Sequence, residues 1–327
     1  MGKGSSDVID FLKYLKEECV EVLIGAGVIV ISIILVFASH SKVVFPNKIE
    51  IGSLTFNLYG LLMAFGVLIP FFILEKRVKN DDELKEINFS WQDLVFIIIV
   101  SVIGARLLHV MADWNRLYSA NPARAFRLWE GGVTWFGALA FGFLSLAAVS
   151  SRRKYNFGKL LDYTALGVAL VQMISRYGNF LNQEIFGHPT DYPWGIYIES
   201  ARRPAEFLSF KYFHPAFFYE QLGNFIILAV LFLVYGLCRK KAAGHQKKKS
   251  PPSGLKGSLL SFFEVGNRNI TLVYLFMYGW VRLIVEQFRL DPDWLLGLSF
   301  GEFLSIVFIM IALVLLPVRL IRRYLSK

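Results

Sequence analysis

The chain has 327 residues, of which 55% are hydrophobic, and its formal net charge is +10. In a soluble protein this charge would suggest a nucleic-acid partner, but apolar runs near twenty residues recur along the chain, each long enough to cross a hydrocarbon core of about 30 Å. The two cysteines, Cys19 and Cys238, are far apart in the sequence, so neither a disulfide framework nor a metal cluster is indicated. Composition therefore predicts an all-α, polytopic integral membrane protein without nucleic acid, metal or cofactor.

Eight membrane spans are predicted in chain order, seven core spans and one additional N-terminal span. They lie near 20–39, 57–75, 92–111, 132–150, 159–180, 216–238, 270–288 and 302–320. Basic clusters follow alternate spans, and the positive-inside rule places their side in the cytoplasm. The first span has two interpretations, a cleaved signal peptide or an uncleaved anchor. The absence of a clear small-x-small cleavage site favours the anchor.

The loops indicate how the chain is organised. We expect residues 1–49 to form an N-terminal extension and residues 50–327 a membrane domain. The segment 185–215 is rich in prolines and aromatic residues and predicts a small ordered cap at the outer surface. The segment 239–269 is basic and expected in the cytoplasm, with its first part, 239–257, interpreted as a disordered connector. No internal repeat is visible, which disfavours a transporter built from inverted halves.

Ionisable side chains inside predicted spans mark a candidate site. At 1.5 Å per residue, Arg106 lies roughly 20 Å from the inner end of its span and Arg176 roughly 25 Å. A third span carries a polar stripe at i, i+4, i+8 and i+11 spacing, formed by Tyr278, Arg282, Glu286 and Arg289. Independent spans thus place polar groups at one level, between the midplane and the outer surface.

The arginines at this level need anionic partners. Glu184 and Glu286 are expected to neutralise two of them, and the remaining positive charge suits a lipid phosphate, which arginine binds bidentately. Other interpretations stand for single residues. Arg282 and Glu286 match a structural i,i+4 brace, Arg176 matches a snorkelling side chain, and Glu220 matches an acidic residue that favours a helix N-terminus.

The stretch RYGNFLNQEIFG (176–187) resembles the signature of the bacterial prolipoprotein diacylglyceryl transferases, R-x-G-N-F-x-N-G-E-x-x-G. Other segments resemble the same family: NLYGLLMAFG (57–66), GARLLHV (104–110), WEGGVTWFGALAFG (129–142), HPAFFYE (214–220), YGWVRLIVEQFR (278–289) and SFGEFLS (299–305). The resemblance covers about residues 50–320 and leaves the first span as an addition.

The resemblance implies transfer of the diacylglyceryl group of phosphatidylglycerol to the lipobox cysteine of preprolipoprotein signal peptides, with release of glycerol phosphate. It implies a site facing the outer leaflet of the bacterial inner membrane. Catalytic roles are expected for Arg176, Arg282, Glu184, Glu286, Tyr59 and Tyr278. Substrate-binding roles are expected for Arg176, Asn179, Gly187, Arg106, Arg289, His214 and Asn182. The arginines would bind the phosphate, the two glutamates would hold the arginines, the tyrosines would line the headgroup site, and Gly187 would let the cap loop turn. Membrane lipids are expected partners, and the protein is expected to be a monomer.

The sequence departs from the family pattern at several positions. Phe136 lies within FGAL where the family has HGGL, and Gln183 stands where the signature has glycine. The HPAFFYE segment is also altered, and Glu302 replaces a usual glutamine. The family histidine is commonly cast as the base for the thiol, and Phe136 cannot accept a proton. Three interpretations remain. Glu184, Glu286 or His214 takes the proton, or the substrate has shifted, or the chain is a catalytically impaired paralogue that binds or scaffolds phospholipid.

Overall fold

The computed structural model describes residues 20–52, 54–79, 90–128, 132–154, 156–245, 269–290, 293–295 and 297–325. The chain divides into two compact units, a larger one from Met1–Leu74 and Leu161–Lys327 and a smaller one from Glu75–Leu160. The described part of the chain contains eight long helices: α1 (Val20–His40), α2 (Leu58–Lys79), α3 (Trp91–Ala112), α4 (Trp135–Arg153), α5 (Phe157–Leu181), α6 (Ala216–His245), α7 (Asn269–Glu286) and α8 (Phe300–Leu325).

Every predicted span coincides with one of these helices. Within the described residues, seven helices are long and apolar enough to cross a membrane, and α1 is one of them. The helix α4 forms over the predicted span 132–150 but is not among the seven. The fold class, an all-α polytopic membrane protein, is therefore confirmed.

Strands are short and pair only as antiparallel two-stranded ribbons in the described parts of the chain. The ribbons join β1 (Lys48–Ile51) to β2 (Leu54–Asn57), β3 (Ile196–Tyr197) to β4 (Tyr212–Phe213), and β5 (Asp293–Leu295) to β6 (Leu298–Ser299). The second ribbon lies in the segment predicted to form a cap. It contributes to an apolar cluster that contains Val36, Phe180, Phe186, Ile196, Ile198, Phe213 and Phe217. The segment 185–215 is therefore packed around a small core of its own and around the ends of α1, α5 and α6.

Local sequence explains where two of the helices begin. Ser90 caps α3, because its hydroxyl accepts from the Asp93 amide while the Asp93 carboxylate accepts from the Ser90 amide. Ser299 and Glu302 form the same reciprocal arrangement at the start of α8. These boxes satisfy amide groups that a helix leaves without partners in its first turn.

In the smaller unit, α3 and α4 pack closely at two glycines. A Cβ atom on Gly137 would collide with the Gly104 carbonyl, and a Cβ atom on Gly104 would overlap the Phe141 side chain. Small residues at such a contact let two membrane helices approach and gain van der Waals packing. An ion pair between the buried Asp93 and the more exposed Arg153, 3.2 Å apart, joins the same two helices.

In the larger unit, α7 packs against both α6 and α8, and α1 packs along α6. The helix α5, which carries the signature stretch, is the most enclosed of the seven helices that are apolar enough to span a membrane. Of its apolar stretch 61% is buried, against 17% for α2 and for α8. Side chains on α5 therefore face protein where those of α2 and α8 are mostly left exposed.

The prediction that residues 239–257 form a disordered connector is wrong for their first part. The helix α6 continues to His245, and the remainder of the segment lies outside the described residues. The sequence RKKAAGH contains mostly good helix formers and no proline, so the helix extends past the apolar run to His245.

Gly104→Ala is expected to destabilise the protein by about 1–3 kcal/mol, because the added methyl group forces α3 and α4 apart. Thermal unfolding of the purified protein in detergent would measure the loss. Gly27→Ala is the matched control, since nothing lies within 4 Å of its Cβ position on α1. A midpoint for Gly104→Ala equal to that of Gly27→Ala would contradict the close packing.

Candidate active site

The centre of the site is the carboxylate of Glu220 on α6, which is 1% exposed. Arg176 on α5 donates from Nη2 to Glu220 Oε1, and Arg282 on α7 donates from Nη1 to Oε2 at 3.3 Å. A buried carboxylate has lost its hydration, so each oxygen needs such a partner. One side chain thereby ties together three helices that are distant in sequence.

A second carboxylate extends this centre along α7. Glu286 lies 2.8 Å from Arg282 Nη2 at i,i+4 spacing and 3.8 Å from Arg289 Nε. The Ser299 hydroxyl donates to Glu286 Oε1 at 2.5 Å. Three arginines and two glutamates thus share one cluster, which leaves one net positive charge before Glu184 is counted.

The polar stripe predicted on α7 is present from Tyr278 to Glu286, whereas Arg289 lies beyond the end of the helix. Tyr278 lies one turn before Arg282, is buried, and stacks on Tyr274 with ring centroids 5.8 Å apart and an interplanar angle of 9°. The backbone of α8 approaches closely, because a Cβ atom on Gly301 would lie 2.8 Å from Arg282 Nη2 and from both Glu286 oxygens. Only a residue without a side chain fits beside this ion pair unless the pair moves.

The signature stretch contributes through a short relay. Arg176 Nη1 donates to Asn179 Oδ1 at 3.0 Å, and Asn179 Nδ2 donates to Glu184 Oε1 at 2.9 Å. The expectation that Glu184 holds an arginine directly is therefore corrected, since Asn179 stands between them. Because α5 ends at Leu181, Glu184 lies in the turn beyond the helix and reaches back only as far as Asn179.

The turn after α5 is made by two residues with left-handed backbone, Gln183 at φ 50° and Ile185 at φ 56°. The Asn182 amide closes the helix end by donating to the Gly178 carbonyl at 3.0 Å. The Gln183 side chain accepts from the Glu199 amide at 2.8 Å and so joins the turn to the cap.

Gly187 has a different role from the one expected. Its backbone does not lie in the left-handed region, but a Cβ atom there would collide with the Phe288 carbonyl and approach His214. Its amide donates to the His214 carbonyl at 2.9 Å, and it pairs as an isolated bridge with Arg289. Gly187 therefore permits close approach of three segments and does not make the turn.

Two aromatic positions frame Arg176 and the cap. The Tyr59 ring at the start of α2 packs on Gly178, where a Cβ atom would overlap it, and Tyr59 is within electrostatic range of Glu184 and Arg176. His214 lies just before α6, with Nδ1 2.9 Å from the Tyr219 hydroxyl and its ring 5.2 Å from that of Phe288. Burial lowers the pKa of His214, and the neighbouring His188 lowers it further.

Arg106 belongs to the smaller unit and is occupied by backbone carbonyls. Its Nε donates to Ala125 at 2.9 Å and its Nη1 to Gly132 at 2.8 Å, while Nη2 donates to Arg124 at 2.6 Å and Arg127 at 3.1 Å. This side chain fastens the connection between α3 and α4. Its substrate-binding role stays a prediction.

Sequence reasoning missed the central role of Glu220 and the contacts of Ser299 and Gly301. Glu220 ends HPAFFYE, and its position in a family motif was the available signal, but a helix N-terminus explained the residue equally well. The Phe136 side chain and residues 129–131 lie outside the described residues, so the departure at Phe136 remains a sequence observation. In the described part of the chain, no three His, Cys, Asp or Glu side chains are grouped to hold a metal ion.

The fold and this cluster define a class, a multi-pass membrane protein whose helices enclose an arginine–glutamate centre. The family model described as prolipoprotein diacylglyceryl transferase matches residues 46–250 and 255–318. The chain therefore belongs to the prolipoprotein diacylglyceryl transferase family. The match also confirms the resemblance inferred from the motifs and begins after α1.

Relatives agree with this assignment. A phosphatidylglycerol–prolipoprotein diacylglyceryl transferase of Parasynechococcus marenigrum (strain WH8102) is 35% identical over 76% of this chain and 81% of its own length. The proteins of the same name from Nostoc sp. (strain PCC 7120) and Synechocystis sp. (strain PCC 6803) are 32% and 33% identical, over 82% and 81% of this chain and 87% and 86% of their own lengths.

Glu220→Gln is expected to lower transfer activity at least about 100-fold, because it removes the buried counter-charge that positions Arg176 and Arg282. Initial rates of transfer, normalised to the amount of folded protein, would measure this loss. Glu302→Gln is the matched control, since Glu302 caps α8 by accepting from the Ser299 amide and a glutamine side chain keeps an acceptor oxygen there. Equal rates for the two variants would contradict the central role of Glu220.

Stability is expected to fall as the pH drops below about 6.5, the ordinary pKa of histidine. The lowered pKa of His214 means that the unfolded chain takes up this proton first, so acid favours unfolding. His214→Asn keeps an acceptor near Tyr219 and should flatten the dependence of unfolding midpoint on pH between 7 and 5. An unchanged slope in this variant would remove His214 as its source.

Proposed function

We propose that this chain transfers the diacylglyceryl group of phosphatidylglycerol to the cysteine thiol of a prolipoprotein lipobox, with release of glycerol phosphate. Membership of the transferase family and the names of the relatives support this function. No observation on the described residues favours the alternative of a catalytically impaired lipid-binding paralogue.

The proposed phosphate site is supported above all by one N–H group of Arg176 that is free to bind a ligand. Within the described residues, Arg176 Nε is buried and has no hydrogen-bond partner, although Nη1 and Nη2 are both engaged. A buried donor without a partner is destabilising, so a ligand oxygen at this position is favourable. The side chains of Arg176 and Arg282 retain exposures of 18% and 13%, which leaves an edge of each for a ligand.

The chemistry follows from this charge. The cysteine thiolate attacks the glycerol carbon that carries the phosphate ester, a C–S bond forms, and the C–O bond to phosphate breaks with its electron pair going to oxygen. Negative charge grows on the departing phosphate, where the guanidinium groups of Arg176 and Arg282 stabilise it. Nearby positive charge also favours the thiolate over the thiol. Tyr59 and Tyr278 line the headgroup, and Arg289, Asn182 and His214 complete the expected binding residues.

Among the three candidate bases we favour Glu184 as acceptor of the thiol proton. Glu286 is already bound by Arg282 and by the Ser299 hydroxyl, and His214 Nδ1 faces the Tyr219 hydroxyl. The hydrogen-bond partner of Glu184 in the described structure is the neutral Asn179 amide. A carboxylate without an arginine on it accepts a proton more readily.

We also propose that the site faces the outer leaflet of the bacterial inner membrane and opens laterally, since neither a two-tailed lipid nor an acylated product can leave through water. A single copy suffices, because Arg176, Glu220 and Arg282 come from one chain.

Arg176→Ala and Arg282→Ala are each expected to abolish transfer, by at least about 100-fold, because each removes charge stabilisation of the leaving phosphate. The assay uses the purified full-length protein, labelled phosphatidylglycerol and a lipobox peptide, with the thioether identified by mass. Arg116→Ala is the control, since its side chain is 73% exposed in a surface pair with Asp113. Substantial activity in either variant would exclude that arginine from the phosphate site.

The same assay tests whether Phe136 is compatible with catalysis. Thioether formed by the unaltered protein supports the proposed function, and loss of product in Glu184→Gln would support Glu184 as base. Product from a Phe136→His variant alone would contradict the proposal and favour an impaired paralogue.

A further inference from the structure

The N-terminal helix α1 lies before the first residue matched by the family model, yet it is built into the larger unit. A Cβ atom on Gly25 would lie 3.0 Å from the Phe225 ring and 3.2 Å from Leu228, so α1 and α6 are closely packed at this glycine. At its other end, His40 Nδ1 lies 2.9 Å from the Gly195 carbonyl of the cap. The helix is therefore docked along its length.

A buried polar network lies at the middle of this contact. The Ser32 hydroxyl, 0% exposed, is 2.7 Å from Gln221 Oε1 and 3.2 Å from the Tyr177 hydroxyl. Tyr177 donates to the Val28 carbonyl at 2.5 Å, and Gln221 Nε2 donates to the Met173 carbonyl at 2.8 Å. The network joins α1, α5 and α6 through one serine.

The two partners of Ser32 stand directly beside the catalytic ion pair in the sequence. Tyr177 follows Arg176 on α5, and Gln221 follows Glu220 on α6. Successive residues on a helix point about 100° apart, so the network holds one side of each helix while the ion pair occupies another. Rotation of α5 about its axis would break the contact between Tyr177 and Ser32 and would also move Arg176. Rotation of α6 would break the contact between Gln221 and Ser32 and would also move Glu220.

A polar contact of this kind specifies one arrangement more sharply than apolar packing does. Gln221 is fully buried, so a rotated helix would leave its amide without partners, whereas apolar side chains tolerate small rotations. Hydrogen bonds between membrane helices add to van der Waals packing in fixing their mutual orientation.

We propose that α1 is a positioning element for the phosphate site, with Ser32, Tyr177 and Gln221 as positioning residues that set the rotation of α5 and α6 and so the geometry of Arg176 and Glu220. The proposal rests on the proposed transferase function. It assigns to the segment outside the family match a part in binding the phosphate ester.

The test is Ser32→Ala in the full-length protein, with Tyr177→Phe as an independent variant that removes the other hydroxyl. Each should raise KM for phosphatidylglycerol about tenfold and weaken its directly measured binding in parallel, while KM for the lipobox peptide stays unchanged. A merely structural role would lower the amount of active protein and leave both KM values as they were. Ser32→Thr, which keeps the hydroxyl, should restore much of the affinity for phosphatidylglycerol.

Ser39→Ala is the matched control, because Ser39 lies two turns further along the same face of α1 and is also buried. It should leave both KM values unchanged. Wild-type KM values in Ser32→Ala and Tyr177→Phe, beside an active parent, would overturn the positioning role alone. If the parent neither transferred the lipid group nor bound phosphatidylglycerol, the proposed function would fall and this inference with it.

Discussion

The buried carboxylate of Glu220 is the constraint on which the larger unit depends. An ionised group enclosed by apolar helices is stable only when both oxygens meet charged donors, and here these donors come from α5 and α7. The three helices must therefore keep one mutual arrangement. Asn179 accepts from Arg176, which this carboxylate holds, and Gly301 lies close to Arg282, which it also holds. The Ser299 hydroxyl bonds Glu286, which is joined to the same centre through Arg282.

The charge balance of the cluster explains how the arginines can be stably buried and still bind a ligand. Glu220 and Glu286 neutralise most of the charge of Arg176, Arg282 and Arg289, so the arginines can be buried without a ligand. Before Glu184 is counted, one net positive charge remains, and so does one buried donor on Arg176. Arginine suits this double duty, because its planar fork can hold a carboxylate with one edge and a phosphate with another.

The cap and α1 are organised around the same end of α5. The apolar cluster that contains Phe180 of α5 also contains Val36 of α1, Phe217 of α6 and cap residues such as Phe213. The chain thus passes from the end of α5 directly into this apolar cluster. The change of direction is made by two residues with left-handed backbone, Gln183 and Ile185. Glu184 and Gly187 are placed by that turn, and their roles follow from where the turn delivers them.

The sequence by itself determined the helices, the fold class and the family, because apolar runs matched to the bilayer and an ordered motif are local properties of the chain. It also identified most residues of the cluster. Only the tertiary structure decided which charges meet. Glu220 is 44 residues from Arg176 and 62 from Arg282, and that contact depends on how three helices are rotated and packed. For the same reason Glu184 meets Arg176 only through Asn179, Gly187 serves close approach, and Arg106 binds carbonyl groups of its own unit. Periodicity predicts the face of a helix on which a side chain lies, whereas its partner is chosen by the packing of elements far apart in the chain.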